Sequence, residues 1–444
     1  MRGLKDKVAI VTGGGQGIGR ALSLRLAEGG RMAPKRIDPA DLASVLPPGG
    51  LTLVSSCSAQ SQVLADAVMQ AGDALGAMTF SGVFLPGVNR LTWLANPECR
   101  VLTFFMTPEL KAAGDRVEFL PLCYQDILTC YRDRKPEAAL FMCSPPDETG
   151  ACSFGVEVAF LPDLWRDIPV RIAHINPLLP RTDGDPGIPF SELTAYIEAE
   201  QPLLTGGDGG PDPVADAIAR HAAPFVADGA TLQTGVGKIP DAVMRALKSH
   251  KNLRIHTGLM GDALFDLIEA GATEDGVPAV VGVALGSRAL YARLADERLE
   301  FRPVSVTHGL QALAATRNLT TINSAIEVDL LGQVYSELTP RGLMSGPGGA
   351  TDFARGARAS GGVRIIALPA SAAGGAISRI VAPGGGSGPV SLSRMDVDVI
   401  VTEHGAADLR GQSYEAHARA LIAIAPPSHR PTLSDAWTTY AARL

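Results

Sequence analysis

Long uncharged apolar runs are missing from this chain of 444 residues. Without about 18 such residues in a row, nothing is expected to span a membrane. An excess of positive charge is missing as well. The formal charge of −7 argues against nucleic acid as the main partner, while leaving room for a local basic pocket around a phosphorylated ligand. Cysteine is scarce: Cys57, Cys99, Cys123, Cys130, Cys143 and Cys152 all fall in the first half. None forms a Cys-x-x-Cys or stands beside a histidine at ligand spacing. That argues against a metal site and for reduced thiols in a cytoplasmic protein. No signal-peptide cleavage pattern is found near the start. Charged residues make up only 19% of the chain against 46% hydrophobic, ample for large cores. The 49 glycines and 32 prolines are dispersed between apolar segments, which indicates turns rather than disorder. Length suggests two or three domains.

The first residues are a separate matter. Lys7 to Gly30 reads KVAIVTGGGQGIGRALSLRLAEGG, a short apolar strand, a glycine loop and a helical stretch. Gly13, Gly17 and Gly19 after Thr12 resemble the short-chain dehydrogenase fingerprint, in which a backbone close to the pyrophosphate meets a helix N-terminus. The supporting parts are absent. The next segment, RMAPKRIDPADLASVLPPGG, is Pro-rich with no apolar strand, and no Asn-Asn-Ala-Gly occurs. Tyr131 and Lys135 are spaced as Tyr-x-x-x-Lys, but Glu118 stands where a partner serine is expected. An NAD(P)-dependent dehydrogenase is therefore a remote alternative. Residues 1–31 read as a leader fragment rather than a domain, with Met32 a plausible start.

From Asp38 onward, short apolar strands alternate with helical segments, the pattern of α/β layers with mainly parallel sheets. Strands are expected at Leu51–Ser55, Val101–Phe105, Ala138–Cys143 and Val170–Ile175. After TGGDGGPDP at Thr205–Pro213, the best linker in the chain, a second set follows at Ala230–Gln233, Leu253–His256, Val363–Leu368 and Val397–Thr402. Two domains result, 32–205 and 210–444, with architectures that could be shared. Glycine-containing loops follow several of these strands: CSPPDETGACSFG, QTGVGKIP, HTGLMGD and TEHGAADLRG. Carboxyl ends of strands are where open α/β sheets bind ligands. In TGVGKIP, Gly235 and Gly237 free the amides ahead of Pro240, leaving them available to a phosphate or an oxyanion.

Seven motifs, in order, then carry a resemblance. They are SPPDETGACSFG (144–155), NPLLPRT (176–182), LQTGVGKIPDAV (232–243), INSAIEVDLLGQV (322–334), SGPGGATDFARGA (345–357), SRIV (378–381) and VTEHGAADLRG (401–411). With them the chain from about Ile37 to Pro431 resembles the acetyl-CoA hydrolase/transferase family, which includes 4-hydroxybutyrate and succinate–acetate CoA-transferases. The resemblance implies two open α/β/α domains with the acyl-CoA site in the cleft between them. It implies a cytoplasmic homodimer with no tightly bound cofactor, acting on coenzyme A esters and a small carboxylic acid.

The family mechanism implied is nucleophilic. A glutamate attacks the thioester to give an acyl-glutamyl anhydride, the thiolate returns to form glutamyl-CoA, and a second acid collects the coenzyme. Position in the motifs makes the amides of Val236 and Gly349 the oxyanion hole, with Gly235, Gly237, Gly346 and Gly348 around them. Asn323 matches a residue that orients the nucleophile, and Glu403 matches a second active-site glutamate. At the nucleophile's own position, in HTGLMGD, stands Gly258. Three readings remain: another carboxylate, Glu403 or Glu327, takes the role; water attacks directly; or acyl-CoA is bound without rapid turnover. On this reading a glutamate restored at position 258 is expected to yield CoA transfer if the remaining machinery is intact.

Overall fold

A computed structural model of the chain describes residues 33–206, 210–235 and 237–444. The dehydrogenase-like leader and Val236 lie outside the described residues. The central strands are apolar on both faces; all six residues of Ala138–Cys143 are buried. Such strands suit parallel sheets covered by helices on each side. Two sheets form, each of eight strands among the described residues.

The two sheets repeat one order. In the first, Leu51–Val54 is followed outward by Thr79–Gly82, Arg100–Thr103 and Val117–Phe119. The chain then returns to the other side of Leu51–Val54 and adds Ala138–Cys143, Val170–Ile175 and Ala195–Glu198, with Lys35–Arg36 at the edge. Every pairing is parallel. The second sheet does the same. Thr231–Thr234 leads outward to Arg254–Met260, Ala279–Ala284 and Leu299–Phe301, and the return adds Leu319–Ser324, Arg364–Ala367 and Val399–Thr402. Its edge strand, Gly405–Asp408, is antiparallel. Each sheet therefore reverses direction beside its first strand, and such switch points open a crevice at the carboxyl ends.

Two glycine motifs are not the loops expected. HTGLM is the second half of the strand Arg254–Met260, and TEHGAADL turns a tight hairpin between Val399–Thr402 and Gly405–Asp408. The described ends of the linker are tied down. Gly206 donates its N–H to Gly286 O at 3.1 Å, and Asp212 caps the helix Pro213–Ala222 through the amides of Val214 and Ala215. One hydrophobic cluster runs through both halves, from Leu53 to Val401, so the halves share a core.

Candidate active site

The two switch points meet at a cavity of about 190 Å³. Ser56 and Cys57, just past Leu51–Val54, line it from the first half, and Gly235 and Asn323 line it from the second. Gly348 and Gly349 close another wall at the start of the helix Ala350–Ser360. Asn323 and Gln233 are locked in a reciprocal amide pair, Nδ2 to Oε1 at 3.0 Å and Nε2 to Oδ1 at 3.3 Å. Of the expected site residues, Gly235, Asn323, Gly348 and Gly349 thus come together.

Other expected residues go elsewhere. Gly237 caps the helix Lys238–Ala246 with φ +121° and does not line the cavity. Gly346 is needed for packing: a Cβ there would lie 1.9 Å from Phe104 O. Glu327 is buried in a small sheet, where its carboxylate accepts from Ser387 N–H at 2.7 Å and Ser387 Oγ–H at 3.0 Å. Glu403 accepts from Ala370 N–H at 2.7 Å and faces His404 at 3.9 Å. Neither glutamate lines this cavity.

Gly258 does line it, but its missing side chain leaves no room behind. A Cβ there would meet His308 Cε1 at 2.6 Å and Nε2 at 2.8 Å. The His308 ring stacks on Tyr124 with centroids 4.3 Å apart and touches Phe353 at 4.5 Å, while Nδ1 pairs with Thr307 Oγ1 at 2.9 Å. Burial, then the neighbouring His256, depress its pKa to about 3, so the imidazole is neutral. The same ring stands 2.6 Å from a Cβ built at Gly349. The imidazole fills the space where the side chain of a glutamate at position 258 would begin, so a glutamate there needs the ring to shift.

Glu157 is the one carboxylate among the described residues that line the cavity, and no lysine or arginine lines it. It is half-buried and lines the cavity. Ser56 N–H donates to Oε2 at 3.0 Å and to Oε1 at 3.2 Å, and Ser56 Oγ–H donates to Oε1 at 2.9 Å. Burial pushes the carboxyl up to about 8, against the downward pull of those hydrogen bonds. Beside it, burial and the Glu157 charge push the Cys57 thiol well above its ordinary range, so it stays protonated. Sequence reasoning missed both Glu157 and His308. The signal for the first was an acid inside the apolar run GVEVAF; a lone histidine in THGLQ carried none.

Comparison with known proteins agrees with the fold. The acetyl-CoA hydrolase/transferase C-terminal domain matches residues 286–437. The chain is 36% identical over 330 residues to the 4-hydroxybutyrate coenzyme A transferase of Clostridium kluyveri, covering 72% of this chain and 77% of that one. It is 34% identical over 351 residues to the succinyl-CoA:cyclohexane-1-carboxylate CoA transferase of Geobacter metallireducens, covering 77% and 80%. The crystal structure of RipA from Yersinia pestis superposes with a TM-score of 0.84 at 28% identity, over 92% of this chain and 97% of that one. Shared sequence and fold place this enzyme in the acetyl-CoA hydrolase/transferase family.

Proposed function

We propose that the cavity receives the acyl end of a short-chain acyl-CoA and that the enzyme moves the coenzyme to a small carboxylic acid. The meeting of both switch points at one cavity carries this reading. At about 190 Å³ it is smaller than the roughly 300–1,000 Å³ of pockets for drug-sized ligands. It therefore suits an acyl group of a few carbons, with the nucleotide outside. The Gly349 amide, at the positive end of the helix Ala350–Ser360, suits the oxyanion that forms when a thioester is attacked. Asn323, fixed by Gln233, supplies an oriented amide beside it. The acetate-level substrates, homodimer and cytoplasmic setting implied by the family resemblance belong to the same proposal.

Direct hydrolysis is the second reading, favoured by the absent side chain at Gly258. One assay separates the two. The full chain is given acetyl-CoA with and without a second carboxylate such as succinate or butyrate. A new acyl-CoA is expected; release of free coenzyme A alone would make the enzyme a hydrolase.

A further inference from the structure

We propose that Glu157 is the nucleophile of this site, a carboxylate delivered from the opposite half of the molecule in place of the one Gly258 lacks. The inference rests on the CoA-transfer reading above.

The backbone of Glu157 is fixed across the boundary between the halves. Ala284 N–H donates to Val156 O at 2.8 Å and Val158 N–H to Gly282 O at 3.1 Å, which sets Glu157 opposite Val283. Val283 is in turn the register partner of Leu259, the neighbour of Gly258. Glu157 therefore reaches the cavity from one strand beyond the strand that bears the family's usual nucleophile. Gly258 and Glu157 line the same cavity, together with Asn323 and Gly349.

The hydrogen bonds suit the chemistry. Oε1 is held by both Ser56 donors, while Oε2 shares only the amide and keeps a lone pair for attack. Ionised Oε2 adds to the thioester carbonyl carbon, the C–S bond breaks, and its electron pair leaves on coenzyme A thiolate. The product is an acyl–glutamyl anhydride. Thiolate then attacks Glu157 Cδ. The bond from Cδ to the bridging Oε2 breaks, the acyl group departs as a carboxylate containing Oε2, and the coenzyme is held as a thioester. During that attack negative charge collects on Oε1, where the Ser56 N–H and Oγ–H already point. Ser56 thus gives the enzyme's own carbonyl an oxyanion hole. An incoming carboxylate reverses both steps and leaves as the new acyl-CoA, with one negative charge on each side and no net proton. Burial holds the carboxyl near 8, leaving about a tenth ionised at pH 7. The ionised form is correspondingly reactive, and transfer is expected to rise towards pH 8.

The full chain is incubated with acetyl-CoA, without acceptor, quenched and digested for mass analysis. A coenzyme A thioester is expected on the peptide containing Glu157, removable by hydroxylamine and reducible by borohydride. Glu157→Gln should lose the adduct and lower turnover by at least about 10³-fold, while melting no lower than the parent. An unfolded Gln variant does not remove the test, because the adduct is located in the parent chain. Turnover with an adduct on another residue would overturn Glu157 as nucleophile and leave CoA transfer standing. Turnover without adduct, with oxygen from labelled water entering the acid at the first cycle, would overturn Glu157 as nucleophile and make the enzyme a hydrolase. A parent chain that consumes no acyl-CoA would overturn the functional reading, and this inference with it.

Discussion

At the scale of single residues, position 258 and Glu157 explain each other. The His308 ring, clamped between Tyr124 and Phe353, stands 2.6 Å from any Cβ built at Gly258. Overpacking of this kind costs about 1–3 kcal/mol. Gly258→Glu alone is therefore expected to lower the melting temperature and gain no CoA transfer. Pairing it with His308→Gly removes the clash but leaves a cavity between Tyr124 and Phe353, so the double variant should gain room for the glutamate without regaining the parent's stability. A stable, more active single variant would show that the ring moves aside easily. Glu157 gives a pH-dependent prediction. Its carboxyl is raised from an ordinary 4.5 to about 8, so between those values the folded chain keeps a proton that the unfolded chain releases. Stability must then fall as pH rises across that window, by up to about 1.4 kcal/mol per pH unit from this group. Urea unfolding at several pH values should show that slope reduced in Glu157→Gln. Parallel slopes for the two proteins would contradict the raised value.

At the scale of elements, glycine serves close approach more often than flexibility. The loop 345–349 presses on the end of Arg100–Thr103 from the other half, and a Cβ at Gly346 would sit 1.9 Å from Phe104 O. That contact seats the Ala350–Ser360 helix, and with it the Gly349 amide, over the cavity. Gly346→Ala should lower the melting temperature by several degrees and cut turnover together with it. Unchanged turnover would show that the helix needs no such seat. A similar approach explains why HTGLM reads as part of a loop yet runs as a strand. Gly258 and Gly282 lie side by side on neighbouring strands, where a Cβ at Gly282 would reach Gly258 O at 2.9 Å. Glycine marks turns and tight packing alike, and the sequence does not distinguish them.

At the scale of the whole molecule, the repeated strand order builds the site. Each half alone has a switch point and half a cavity; joined, they place Ser56 and Glu157 against Asn323 and Gly349. The Leu53-to-Val401 core holds the two halves in register. Neighbouring contacts reinforce it, with Ser305 donating N–H and Oγ–H to Asp163 at 2.9 and 2.6 Å. Among the described residues no helix is long and apolar enough to cross a membrane.

The sequence by itself determined the α/β layers and the positions of eight strands to within a few residues; of the residues its motifs singled out, Gly235, Gly348, Gly349 and Asn323 line the cavity, while Gly237 and Gly346 do not. These are properties of local apolar runs and ordered motifs, and both are written along the chain. It also puts glycine at 258, where the family resemblance implies a glutamate. Only the tertiary structure decided what stands in its place. Glu327 and Glu403 look eligible in sequence, but each carboxylate is engaged away from the cavity. Glu157 looks like a stray acid in an apolar run, yet it pairs with a strand more than 120 residues further on and meets Ser56 from 101 residues back. Burial, a missing counter-charge and an imidazole in the way are all set by neighbours distant in sequence. They exist only once the two sheets have packed.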